Sequence, residues 1–111
     1  MKNLITIMIL FVGCATTPTV KSVVGSYEAK IGKFVFLENG KCQAFIKGEE
    51  KTGTWKLVKK EVHIKEVDIE EVTDILKIEP NGDFTFIAYI ENGKRTELQK
   101  EVRSTFKKLK E

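Results

Sequence analysis

Three Asn-Gly dipeptides, each lying between apolar stretches, constrain the fold of this chain most strongly. They are Asn39-Gly40, Asn81-Gly82 and Asn92-Gly93. Asn-Gly between apolar runs is the strongest short hairpin signal, because both residues tolerate the positive φ angles of tight turns. The sequence therefore predicts antiparallel hairpins at all three positions.

The segments around these turns have the spacing of β-strands. Aromatic and β-branched residues recur with a period of two, which is typical of strands with one buried face. The clearest stretches are residues 27–31, 34–37, 54–58, 62–67 and 84–90. We therefore predict an all-β fold.

Two turn types compete at each Asn-Gly. A two-residue type I′ loop places both residues at positive φ, whereas a type I turn followed by a left-handed Gly gives a three-residue loop. Pro80 favours the three-residue loop at Asn81-Gly82, because proline suits the second position of a type I turn. We apply the same loop by analogy to Asn39-Gly40.

The three-residue loop at residues 38–40 fixes which side chains share a face. A slip of one residue would exchange the two faces. The predicted inner face of this hairpin is wholly apolar: Phe34, Phe36, Cys42, Ala44 and Ile46. The outer face is mixed and includes Val35, Leu37 and Phe45. By the same reasoning, we expect these residues to point inward: Tyr27, Ala29, Trp55, Leu57, Val62, Ile64, Leu76, Ile78, Phe84, Phe86, Ala88 and Ile90.

Two segments leave alternatives open. The pattern from Asp68 to Glu71 is that of a capping box, so a short helical turn near 68–74 is one alternative to a strand. Residues 98–110 fit either an amphipathic helix or a strand. We favour a closing edge strand over 104–110, whose lysines would discourage aggregation.

The N-terminus has the features of a signal peptide. The apolar run 4–12 follows Lys2 and ends in small residues, and it is too short for a membrane span, which needs about 20 apolar residues. The stretch Leu10-Phe11-Val12-Gly13-Cys14 resembles the lipobox of bacterial lipoproteins, with Phe11 in place of the usual Leu. The resemblance implies cleavage before Cys14 and attachment of lipid to its sulfur.

This resemblance divides the chain into a signal peptide (1–13), a lipidated N-terminus and tether (14–22), and a β-barrel domain (23–111). Ala15 after the cysteine resembles the default that sends such lipoproteins to the outer membrane. We therefore expect an exported protein, anchored to the outer membrane through the lipid on Cys14 and facing the periplasm.

Four further stretches resemble small lipocalin-like lipoproteins of bacterial envelopes. They are Gly25-Ser26-Tyr27, the segment from Phe34 to Gly40, Gly53-Thr54-Trp55, and the segment from Thr105 to Leu109. The resemblance implies a small antiparallel meander, a barrel or half-barrel of about eight strands.

The composition argues against several classes of function. Without Lys2, 18 of the 19 basic residues remain against 16 acidic ones, and the interspersed charges do not form the basic face of a nucleic-acid binder. His63 is the only histidine, so we expect neither a zinc site nor a catalytic triad. One group of acidic residues has the oxygen ligands that a cation site would need: Asp68, Glu70, Glu71 and Asp74. We interpret this group instead as a solvated turn. We expect no enzyme activity, no cofactor and no metal.

Lipid on Cys14 would leave Cys42 without a disulfide partner. We interpret Cys42 as a small apolar residue buried in a strand, and a reactive or intermolecular thiol is the alternative.

Two functions remain open. In the first, six aromatic residues line a pocket for a small apolar ligand or an envelope component: Tyr27, Phe34, Phe36, Trp55, Phe84 and Phe86. In the second, these residues fill a solid barrel, and Val35, Leu37 and Phe45 on its outer face contact another envelope protein. An interior cavity of about 300 Å³ or more, lined by the aromatic residues, would favour the first.

Overall fold

The computed structural model describes residues 18–66 and 69–109, except for the side chain of Glu70. This part contains the helix α1 (Val20–Val23) and a 3-10 helix (Lys100–Val102). The strands are β1 Gly25–Ala29, β2 Gly32–Phe36, β3 Lys41–Ile46, β4 Glu49–Val58, β5 Glu61–Glu66, β6 Ile69–Ile78, β7 Phe84–Glu91, β8 Lys94–Glu97 and β9 Thr105–Lys108. The predicted signal peptide and Cys14 lie outside the described residues.

Eight of the strands form a closed antiparallel barrel, which confirms the predicted fold. Strands β1 to β7 pair in chain order, and β9 closes the ring by pairing with both β7 and β1. The additional strand β8 pairs with the C-terminal half of β7. On the same edge, β9 pairs with the N-terminal end of β7. Strand β7 therefore has β6 on one side, and β8 and β9 in succession on the other.

The first ambiguous segment is a strand, and the second combines a short 3-10 helix with a strand. Residues 69–78 form β6, so no helical turn is present there, and Asp68 lies outside the described residues. Residues 105–108 form β9, as expected for the closing strand. This strand lies between β1 and β7 rather than at an edge, because it joins the two ends of the sheet.

The three Asn-Gly turns divide between the two competing types. Gly40 and Gly82 have φ of 86° and 94° and close three-residue loops, so the loops predicted from Pro80 are confirmed. Asn92 and Gly93 both have positive φ, at 52° and 82°, and Glu91 pairs directly with Lys94. This third turn is therefore the two-residue alternative.

The predicted inner face is the core of the barrel. Phe36 pairs with Cys42 and Phe34 with Ala44, which confirms the register. The buried core residues are Val23, Tyr27, Phe36, Cys42, Trp55, Val62, Ile64, Leu76, Phe84 and Phe106. Partly buried Ala29, Leu57, Ile78 and Phe86 pack against them, as expected.

The expectation that Ala88 and Ile90 point into the barrel is wrong. A β-bulge shifts the register: Leu76 pairs with Phe86, but Ile75 pairs with Ala88. The extra residue, Ile87, exchanges the faces of all later residues of β7. Ala88 and Ile90 consequently pack with Ile75 and Ile87 in a second, smaller cluster.

Helix α1 covers one end of the barrel. Thr19 caps it through a reciprocal hydrogen-bonding arrangement with Ser22, and Val23 is buried in the core. The Tyr27 hydroxyl donates a hydrogen bond to the Val23 carbonyl oxygen at 2.7 Å. Residues 20–22, which the sequence analysis assigned to the tether, belong to this helix and are exposed.

Candidate binding pocket inside the barrel

Most of the six predicted ligand-binding aromatics pack against one another. The rings of Tyr27 and Phe84 stack with their centroids 3.9 Å apart. Phe36 makes edge-to-face contacts with Tyr27, Trp55 and Phe84 at 5.4 to 5.8 Å. These rings fill the half of the barrel next to α1.

The polar atoms of this cluster are satisfied. Trp55 Nε1 donates a hydrogen bond to the Leu37 carbonyl oxygen at 2.9 Å, in the turn between β2 and β3. Burial, with a smaller contribution from Asp83, raises the pKa of the Tyr27 hydroxyl well above its usual value. The Tyr27 hydroxyl therefore stays protonated and acts as a hydrogen-bond donor.

The other half of the barrel contains a pocket of about 240 Å³. This volume is smaller than the roughly 300 Å³ expected of a ligand cavity lined by the six aromatics, and Phe34 is the only one of them among its lining residues. The criterion predicted for the first function is therefore not met. Phe84 borders a groove beside α1 instead, and Trp55 borders one on the outer face. The pocket is lined by apolar Phe34, Cys42, Ala44, Ile46 and Ile64, and by Lys51, Thr52, Gly53, Glu66 and Asp74.

The sheet register explains why these residues meet. Ala44 pairs with Lys51, Cys42 with Gly53, and Gly53 with Glu66. Ile64 pairs with Asp74 on the next strand. Paired residues share a face of the sheet, so charged side chains on β4, β5 and β6 join the apolar inner face of β2 and β3.

Gly53 keeps one wall of the pocket open. A Cβ atom at this position would lie 2.3 Å from the Lys65 carbonyl oxygen, next to the register shift between Lys65 and Glu66. Only glycine allows this close approach of two backbones. The absence of a side chain between Cys42 and Glu66 also leaves space inside the barrel.

Three charged side chains face the pocket. Lys51 Nζ forms an ion pair with Glu66 Oε1 at 3.2 Å. Asp74 is partly buried, and its carboxylate makes no hydrogen bond or ion pair with any residue in the described part of the chain. Burial, assisted by the nearby charge of Glu66, raises the pKa of Asp74.

Cys42 lies in the wall of the pocket and is 4% exposed. Burial raises the pKa of its thiol to about 11, so the thiol is almost entirely protonated at neutral pH. Its position agrees with the interpretation of a small residue buried in a strand.

The proposed outer-face residues lie on the opposite side of the same strands. Leu37 and Phe45 are 39% and 38% exposed, and Val35 is half-buried. Phe45 pairs with Lys33, and Val35 with Gln43, so Val35 and Phe45 are diagonal neighbours on one face.

A second concave region lies on the outer face of β4, β5 and β6. It has a volume of about 330 Å³, and its lining includes Thr54, Lys56, His63, Lys65 and Thr73. His63 Nε2 lies 3.0 Å from Glu61 Oε1. As expected from alternation, His63 shares the polar face with Glu61 and Lys65.

Sequence reasoning missed Lys51, Gly53, Glu66 and Asp74 as pocket residues, although a signal for Asp74 existed. Alternation from inward-facing Leu76 places Asp74 on the inner face. The interpretation of Asp74, together with Asp68, Glu70 and Glu71, as part of a solvated turn is wrong for Asp74, which lies in β6 and is partly buried. In the described part of the chain, no group of three or more His, Cys, Asp or Glu side chains is placed to hold a metal ion.

Among the residues described here, no helix is long and apolar enough to cross a membrane. Comparisons with models of protein families, with curated proteins and with solved structures find no match. The candidate site therefore stands on its geometry alone.

Proposed function

We propose that this protein is a lipid-anchored envelope protein whose barrel binds a small apolar ligand in the pocket beside Phe34. One observation carries the binding function: the aromatic cluster fills only half of the barrel, and a 240 Å³ pocket remains in the other half. The lipobox-like sequence ending at Cys14 supports export and anchoring. The lipid would hold the barrel close to the outer membrane, where apolar molecules are concentrated.

The volume limits the size of the ligand. An engineered cavity of about 150 Å³ binds benzene, and pockets for drug-sized ligands begin near 300 Å³. The pocket therefore suits a single ring with a short substituent, or a short alkyl chain. This is a smaller ligand than the six-aromatic pocket predicted from the sequence would take.

Filling the pocket provides the test. Ala44→Phe places a ring inside it, whereas Gln43→Phe places the same ring on the outer face of the same strand. We expect benzyl alcohol to bind the full chain in lipid nanodiscs, as measured by calorimetry against empty nanodiscs. Ala44→Phe should reduce the affinity at least about tenfold, and Gln43→Phe should leave it unchanged. Equal affinities for both variants would place the binding elsewhere.

Cys42 offers an independent readout of where the probe binds. Because its thiol lies in the pocket wall, bound benzyl alcohol should slow its alkylation by a small maleimide, measured by mass spectrometry. Binding without protection of Cys42 would contradict the assignment of the ligand to this pocket.

Lipid anchoring is tested separately. A labelled fatty-acid precursor should be incorporated into the wild-type protein and not into the Cys14→Ala variant. Labelling of Cys14→Ala would contradict the proposed lipobox.

A second candidate function is a protein-interaction module that uses the outer face of β2 and β3. Exposed Leu37 and Phe45 favour it, as does the packing of the aromatic cluster. A photo-crosslinking residue at position 45 should then capture the same envelope protein in repeated experiments, and one at Lys77, on β6, should not. Capture of that protein from both positions would argue against a specific face.

A further inference from the structure

We propose that the inner pocket selects ligands that carry a positively charged amino group beside a small apolar body, with Asp74 as the partner of that group. The inference rests on the ligand-binding function proposed above and names its chemical class. It is carried by one juxtaposition: an inward-facing carboxylate that has no hydrogen-bond or ion-pair partner among the described residues, in the wall of an otherwise mainly apolar pocket.

The position of Asp74 is unusual for a structural residue. It pairs with Ile64, a core residue, and therefore faces the interior. A carboxylate removed from water is costly unless a hydrogen bond or an opposite charge compensates it. Among the described residues no such partner is present, so the carboxylate retains its full capacity to accept hydrogen bonds from a ligand.

The other charges that face the pocket leave a net negative charge. Lys51 and Glu66 form an ion pair with each other, so their charges largely cancel. Ionised Asp74 then provides the excess negative charge, which attracts an ammonium group and repels a carboxylate. The thiol of Cys42 is protonated and adds no charge.

The remaining walls fit the rest of such a ligand. The side chains of Phe34, Ala44 and Ile46 provide an apolar surface on β2 and β3. Asp74 lies on β6, several strands away in the barrel wall. A ligand with a ring at one end and an amino group at the other matches this division of the pocket.

Three probes of similar size and shape test this inference: benzylamine, benzyl alcohol and benzoate. We expect benzylamine to bind at least about tenfold more tightly than benzyl alcohol, because a charge-assisted hydrogen bond replaces a neutral one, and benzoate to bind most weakly. Calorimetry on the full chain in nanodiscs, corrected for empty nanodiscs, measures all three.

Asp74→Asn keeps the volume of the side chain and removes its charge. This variant should bind benzylamine and benzyl alcohol with similar affinity, whereas Glu50→Gln, an exposed carboxylate paired with outer-face Phe45, should keep the preference. Lys51→Met should strengthen benzylamine binding, because it removes a competing positive charge beside Glu66.

The outcomes separate this inference from the proposed function. If benzyl alcohol protects Cys42 and binds as tightly as benzylamine, the pocket binds ligands but the amine selectivity is wrong. If none of the probes binds or protects Cys42, the ligand-binding function itself fails. A preference for benzylamine that persists in Asp74→Asn would also overturn the role of Asp74.

Discussion

Arg95 on β8 and Glu61 on β5 form a two-pronged ion pair. Arg95 Nη2 lies 3.0 Å from Glu61 Oε2, and Nη1 lies 3.3 Å from Oε1. Strands β6 and β7 separate β5 from β8, so the two strands would be about 14 Å apart in a flat sheet. The ion pair therefore joins two strands that are not neighbours in the sheet, and it helps to hold the β7–β8 hairpin in place.

Removal of this ion pair should loosen β8 without unfolding the barrel. Arg95 and Glu61 are 39% and 25% exposed, and exposed pairs contribute only about 0.2–1 kcal/mol. We therefore expect Arg95→Gln to lower global stability by less than about 1 kcal/mol and to accelerate amide hydrogen exchange in β8. Lys94→Gln, on the same strand, serves as the control. Unchanged exchange in Arg95→Gln would show that the ion pair does not hold the hairpin.

The ion pair between Arg95 and Glu61 should also make the stability of the protein depend on pH. Hydrogen bonding from Arg95, reinforced by His63 and opposed by burial, lowers the pKa of Glu61 below its ordinary value of 4.5. A carboxyl group with a lowered pKa stabilises the folded state above its unfolded pKa, and this stabilisation is lost as the pH falls through the folded value. Wild-type protein should melt at a higher temperature than Glu61→Gln at pH 7, and the difference should shrink below pH 4.5. A difference in melting temperature that stays constant from pH 7 to pH 3 would contradict this prediction.

The Asp74 carboxyl group should have the opposite effect on the pH dependence of stability. Its pKa is raised from 3.8, so the folded protein holds the proton more tightly and loses stability as the pH rises through the raised pKa. Asp74→Asn should therefore stabilise the protein at pH 7, by on the order of 1 kcal/mol or about 4–8 °C in Tm. The advantage should vanish below pH 3.8. Glu66, Lys51 and Cys42 face the same pocket. Because the charge of Glu66 contributes to the raised pKa of Asp74, the comparison is repeated in the Glu66→Gln background. Destabilisation by Asp74→Asn at pH 7 would indicate a structural role for the carboxylate.

Gly53 should tolerate no side chain. The Cβ atom of an alanine would overlap the Lys65 carbonyl oxygen, and relief requires β4 and β5 to separate. We expect Gly53→Ala to lower the free energy of unfolding by about 1–3 kcal/mol in urea denaturation. Thr52→Ala, at an exposed neighbouring position, should change it by less than about 0.5 kcal/mol. Equal effects would mean that the backbones can move apart at little cost.

Local chemistry predicted much of this fold. Asn39-Gly40 and Asn81-Gly82 determine their loops, because the left-handed glycine fixes the pairing on both sides of the turn. The inner face of β2 and β3 follows from that register. The turn at Lys47-Gly48 carries no Asn, and both of its residues have positive φ, so composition gave no comparable signal there.

The bulge at Ile87 explains why two inward residues were predicted incorrectly. The residues from Phe86 to Ile90 are all apolar or aromatic, so the sequence does not show where the two faces exchange, and no Gly or Pro marks the extra residue. The bulge depends on pairing with β6, which is a tertiary property. Asp74 shows the converse. Its inward position follows from alternation, but the absence of a partner for its carboxylate in the described part of the chain depends on the packing of five strands.

The barrel is closed by one of its shortest strands. Strand β9 pairs through only two residues with β1 and two with β7, and its contact with β1 joins segments about 80 residues apart in sequence. Such distant pairing has to overcome a loop-closure cost before its contacts form, so we expect it to form late in folding. Phe106, buried against Phe34 with ring centroids 4.8 Å apart, compensates for the few backbone hydrogen bonds. The seam between β1 and β9 therefore depends strongly on the burial of Phe106, and we expect it to open before the rest of the barrel.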